Sequence, residues 1–254
     1  MVSSNSTLEA SPTVASQQTQ SLRKNQSAAL GAGLLLYSSV QFFVLTTAAM
    51  ILYPGGAKFF RTADHYLFFQ NFFSDLGASH TWSGQRNLPS EVLFIVALSC
   101  VGFALIGSSA TWKVIAPRER RKHSWAWAAQ IFAVLSGLCY IGIAATPWNL
   151  MLEVHNVFVK AAFSFLLGFI VCLSALQTQA RWPNQYLATN YVYLALLFVY
   201  VSILFFGPKL DHPNGLAFQV VAQKIIVYAS ILNLAYQALG VRQAAHAPEI
   251  AVPK

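Results

Sequence analysis

Six separate stretches of this chain, each of roughly 20 residues or more, run almost without charge, and no soluble fold hides that much apolar surface. A helix rises about 1.5 Å per residue, so each stretch is long enough to cross a hydrocarbon core of about 30 Å. The chain has 56% hydrophobic and only 9% charged residues, against about 25% charged in a soluble domain. A soluble enzyme, a coiled-coil rod and a chain disordered throughout are thereby excluded. Runs such as Val92–Ser108 and Tyr191–Phe206 are continuously apolar, without the alternation of a transmembrane barrel strand, so their backbone polar groups must bond within each segment.

The sequence therefore predicts an all-α, six-transmembrane-helix bundle with spans near 28–53, 91–115, 124–146, 152–177, 186–206 and 216–239. A polar leader at 1–27, rich in Ser, Thr and Gln, is expected to be disordered; the membrane domain covers 28–242 and a short tail covers 243–254. Basic residues in connections resist translocation. One side collects Arg23, Lys24, Lys113, Arg118, Arg120, Arg121, Lys122, Arg181, Arg242 and Lys254, whereas the other has Lys58, Arg61, Arg86 and Lys209. This distribution predicts a multi-pass protein with both termini in the cytoplasm. The net charge of +8 then reflects topology and contact with membrane lipids, with no call for nucleic acid. Cys100, Cys139 and Cys172 all fall inside spans and imply no disulfide framework.

The long extracytoplasmic first loop interleaves Phe59, Phe60, Tyr66, Phe68, Phe69, Phe72 and Phe73 with Lys58, Arg61, Asp64 and His65, a composition suited to the headgroup boundary. It is expected to form an interfacial helix, with a lid over an outward-opening pocket as the alternative. Glu91, just after Pro89, suits the first turn of a helix, where the dipole favours negative charge. Asp75 has no such local role beyond a turn.

Lys160 and Lys224 lie within spans, each about eight residues below the outer end. A lysine there must snorkel, pair, or face a hydrated cavity. Glu153, Asn156 and Lys160 share one helical face, His155 lies just above Lys160, and Gln219 and Gln223 accompany Lys224. The expected site comprises Asp75, Glu91, His155, Asn156, Lys160, Gln223 and Lys224, with the two lysines facing one cavity and Asp75 reaching down to them. No catalytic set is legible.

At these residues the chain resembles a known group. Phe72-Phe73-Ser74-Asp75-Leu76-Gly77 followed by Asn87-Leu88-Pro89-Ser90-Glu91 is similar to the first-loop signature of a bacterial six-helix membrane family of unknown function, and the Ser-Asp-x-Gly and Pro-Glu pattern is similar to the DRAM-like autophagy modulators. His155-Asn156, Gly215 and Gln223-Lys224 extend the resemblance over most of 28–242. It implies a compact six-helix bundle with both ends inside, and no particular reaction.

Two functions compete. In one, the bundle binds a lipid or other amphiphile, an anionic headgroup meeting Lys160 and Lys224. In the other, it is an intramembrane metal-dependent lipid hydrolase resembling alkaline ceramidases, which would need His80, His155 and His212 as ligands without the close His spacing such sites show. The expected metal set is therefore none. No cofactor is expected either, for there is no phosphate-binding glycine loop or nucleophile elbow, and His155 is the only histidine within a span.

Overall fold

The computed structural model of the chain describes residues 12–115 and 124–246. Six helices carry the fold: α1 (Pro12–Leu52), α2 (Leu88–Gly107), α3 (Ser124–Ala145), α4 (Trp148–Gln179), α5 (Asn184–Phe206) and α6 (Pro213–His246). All six contain windows long and apolar enough to cross a membrane, so the protein is a multi-pass, six-helix bundle. Short 3-10 turns at Phe73–Gly77 and Thr111–Val114 precede and follow α2.

The helix α1 begins well upstream of its apolar run. Residues 12–27 are helical where the leader was expected to lack structure, because Gln, Ala, Leu, Arg and Lys propagate a helix that the membrane span has already nucleated. The first eleven residues, the basic cluster Arg118–Lys122 and the tail beyond His246 lie outside the described residues.

Each helix packs on the next, and α6 closes on α1 to complete a ring. On α1 the buried positions are Gly31, Ser38 and Gln41 together with Ala28, Ala32, Leu35, Ser39, Phe42, Thr46 and Ala49. The last seven alternate steps of four and three, the repeat of a coiled-coil seam, and Gly31, Ser38 and Gln41 widen that stripe on one side, so one face of α1 turns to the bundle along the span. Leu30, Tyr37, Phe43 and Ile51 on the other faces are exposed and meet lipid. Small residues set the closest crossing: a Cβ on Gly102 of α2 would lie 2.6 Å from the Gly137 carbonyl of α3, and a Cβ on Gly137 would lie 2.6 Å from the Gly102 carbonyl. Such near-contact of backbones supplies van der Waals attraction where lipid removes any hydrophobic drive.

Two features fill the interior. A small apolar void of about 70 Å³ lies among Phe42, Leu105, Tyr140, Phe163 and Leu234. Toward the terminal end, a polar seam joins α4, α5 and α6: Gln177 Nε2 donates to Gln237 Oε1 at 2.7 Å, Gln237 Nε2 to the Tyr186 carbonyl at 2.9 Å, Asn190 Nδ2 to Ser174 Oγ at 2.9 Å, and Asn233 Nδ2 to Asn190 Oδ1 at 3.1 Å. Buried amides in a low-dielectric core must find partners, and here they find one another across helices.

Candidate functional site

The first loop folds over one end of the bundle and builds the site. In place of the expected interfacial helix, residues 54–87 form turns, isolated bridges and the 3-10 turn at Phe73–Gly77. Pro54-Gly55-Gly56 breaks the chain after α1. Side chains then replace helical carbonyls as acceptors: the Leu67 N–H donates to Asn71 Oδ1 at 3.0 Å and the Phe72 N–H to Asp75 Oδ2 at 2.9 Å. Tyr66, Phe73 and Leu76 are buried, while Phe59, Phe60 and Phe69 stay exposed at the edge.

The motif residues of the loop act as a clasp. Asn87 Nδ2 donates to the carbonyls of Leu76 at 2.9 Å and Ala78 at 2.8 Å, and Ser90 Oγ donates to the Leu76 carbonyl at 3.1 Å. Gly77 is required because a Cβ there would strike the Phe94 ring. The loop is also tied to the other connections at this end. Lys58 Nζ donates to the Leu210 carbonyl at 2.8 Å, Asn149 Nδ2 donates to Ser79 Oγ at 2.8 Å, and the Phe73 N–H donates to Gln223 Oε1 at 2.8 Å.

Lys224 reaches up from α6 into this loop. Its Nζ donates to Tyr66 Oη at 2.8 Å and the Asn71 carbonyl at 2.7 Å, and it lies 4.3 Å from the Phe73 ring centre and 5.2 Å from those of Tyr66 and Phe68. Such a cage of rings and carbonyl replaces the water a buried ammonium loses. Asp75 completes the charge balance through an intermediary: Asn71 Nδ2 donates to Asp75 Oδ2 at 3.0 Å, so Asn71 joins cation and acid without a direct ion pair. Asp75 also accepts from Trp82 Nε1 at 3.3 Å. Burial pushes its carboxyl up from 3.8 to about 6, against the lowering pull of these hydrogen bonds and of the lysine. Burial likewise raises the Tyr66 hydroxyl, with the charge of Asp75 adding to it, so Tyr66 stays protonated and donates to the carbonyls of Asn71 and Phe72.

Beside this clasp lies a cavity of about 250 Å³. Its lining mixes polar residues, among them Gln70, Asp75, Trp148 and His155, with apolar ones, among them Leu152, Val159 and Leu204 of α4 and α5. Trp82 and Trp148 stack with centres 4.6 Å apart. His155 is buried, and its Nδ1 lies 2.7 Å from the Thr146 carbonyl. A carbonyl only accepts, so the hydrogen is on Nδ1, which fixes the ring across the α3–α4 junction. A non-helical Met151, with φ −139° and ψ 51°, sets off the first turn of α4 and lets Trp148 and His155 both reach the cavity.

The structure brings together Asp75, His155, Asn156 and Gln223 on the cavity wall and leaves three expected members elsewhere. Lys224 lies behind the loop, not on the lining. Lys160 is exposed, its Nζ 5.5 Å from the Phe205 ring centre, so the two lysines do not share a cavity. Glu91 stands in the first turn of α2, the position expected for it, and does not line the cavity. Asn71, Tyr66, Trp82, Trp148 and Gln70 are members that the sequence reading missed. The available signals were Asn71 four residues before Asp75, and two tryptophans at membrane edges.

Among the described residues, no three His, Cys, Asp or Glu side chains gather as a metal-ligand set. A scan against models of known protein families and searches of curated proteins and of solved structures return no match to this chain.

Proposed function

We propose that this membrane protein binds an amphiphile, with the headgroup in the cavity under the first loop and the acyl chain alongside Leu152, Val159 and Leu204. The observation that carries the reading is a cavity lined by both polar and apolar side chains, at the end of a bundle whose outer faces meet lipid. Its volume of about 250 Å³ suits a headgroup but not a whole lipid, whose chain must then lie in the membrane. The loop serves as the roof. In the same proposal both termini are cytoplasmic and the cavity faces outward, on the strength of the Lys and Arg distribution. What the chain would share with DRAM-like proteins is the clasp of Asp75, Asn87 and Ser90, not a reaction.

The hydrolase reading has less support. His80 and His212 are exposed on the loops, and His155 reaches the cavity without either of them.

Native mass spectrometry of the purified full chain tests the binding reading. A retained amphiphile adduct is expected, and Val159→Trp, which fills the cavity from α4, should reduce it about tenfold with the helical circular dichroism unchanged. An adduct-free wild type, or an adduct undiminished in the filled variant, would overturn the proposal.

A further inference from the structure

Within the binding reading above, the geometry points to a neutral, hydroxylated headgroup, a polyol, as the polar end of the ligand. Three buried polar atoms of cavity-lining residues have no partner within the protein: His155 Nε2, Gln70 Oε1 and Trp148 Nε1. Because the hydrogen of His155 sits on Nδ1, the neutral ring presents Nε2 as a bare lone pair. Gln70 Oε1 also accepts, and Trp148 Nε1 only donates. The unmet set is thus two acceptors and one donor. A hydroxyl both donates and accepts, so two or three hydroxyl groups complement it; a sulfate or phosphate oxygen could answer only Trp148.

Charge argues the same way. The cavity wall has one cation, the half-buried Lys58, and one buried acid, Asp75. Lys58 disfavours an ammonium and Asp75 disfavours an anion. The lysines on which an anionic headgroup was expected to rest are both off the lining. The stacked rings of Trp82 and Trp148 offer an apolar surface to the C–H face of a glycerol or sugar.

The test uses the full chain in phosphatidylcholine nanodiscs, whose headgroup donates no hydrogen bonds. Four amphiphiles with the same oleyl chain length are added in equal amount: monooleoylglycerol, oleyl glucoside, oleyl sulfate and oleylamine. Native mass spectrometry should show the glycerol or glucoside form retained at least about tenfold over the sulfate and the amine, since each hydrogen bond is worth roughly fivefold. Which of the two prevails separates a glycerol from a sugar source. His155→Asn keeps a donor near the Nδ1 position for the Thr146 carbonyl and deletes Nε2; it should cut hydroxylated retention about fivefold. If that variant does not fold, Trp148→Phe, which keeps a ring and deletes the N–H, carries the same expectation. Preferential retention of the sulfate or the amine, or equal retention of all four, would overturn the headgroup assignment and leave amphiphile binding standing. Retention of none by the wild type would remove the binding reading itself. Unchanged retention in the folded variants would overturn the role of these two side chains.

Discussion

Lys224 and Asp75 meet through Asn71, and that arrangement holds Lys224 in the roof of the site, off its lining, while Asp75 both ties into the roof and lines the cavity. Removing the cation alone leaves Tyr66 and Asn71 with one partner fewer and Asp75 without its compensating charge. One-sided loss from a buried network costs about 3 to 5 kcal/mol. Lys224→Met should therefore lower the thermal midpoint of the purified protein sharply, and an unchanged midpoint would show that the cage contributes nothing. Asp75 itself makes stability depend on pH. Its carboxyl titrates at about 6 when folded and 3.8 when not, so between those values the folded chain holds more protons and stability falls as pH rises, levelling off above about 6. The full shift corresponds to about 3 kcal/mol. Thermal melts from pH 4 to 7 should lose this component in Asp75→Asn, whatever that variant does to the midpoint overall.

At this scale the sequence identified the right loop acid and the right α6 lysine, but depth along a helix does not tell which way a side chain faces. Successive residues turn by about 100°, so Lys160 lies about 140° around α4 from His155. With His155 turned inward, the stripe Glu153, Asn156 and Lys160 is exposed together. These three do share an exposed face, as their spacing indicates, but only Asn156 borders the cavity, while Glu153 and Lys160 are off its lining.

Among the elements, the spans were legible because apolar length alone decides them, and α2, α3, α5 and α6 begin or end within a few residues of expectation. The first loop was not legible. Its aromatic spacing resembles an amphipathic helix, yet its form is decided by side chain–backbone bonds from Asn71, Asp75 and Asn87, which no hydrophobic period records. The crossing of α2 and α3 offers a sharp test of packing. Gly102→Leu would drive the two backbones apart and should destabilise the protein by about 1 to 3 kcal/mol, read as a drop in thermal midpoint. The conservative Leu105→Met nearby should cost under about 1.5 kcal/mol.

For the whole molecule, the ring closure of α6 on α1 and the polar seam of Gln177, Asn190, Asn233 and Gln237 depend on which helices become neighbours, and a single sequence does not display this. Sidedness is the property for which the sequence is the better guide. Reporter fusions after Lys122 and after Lys254 should both report cytoplasm, and either reporting the outside would reverse the orientation.

The central claim, an amphiphile site under the first loop, is tested most directly by an experimental density map of the full chain in lipid nanodiscs. It should show a headgroup within hydrogen-bond distance of His155 Nε2, with its chain running out beside Leu152 and Val159. A cavity filled by side chains or by water alone would contradict it.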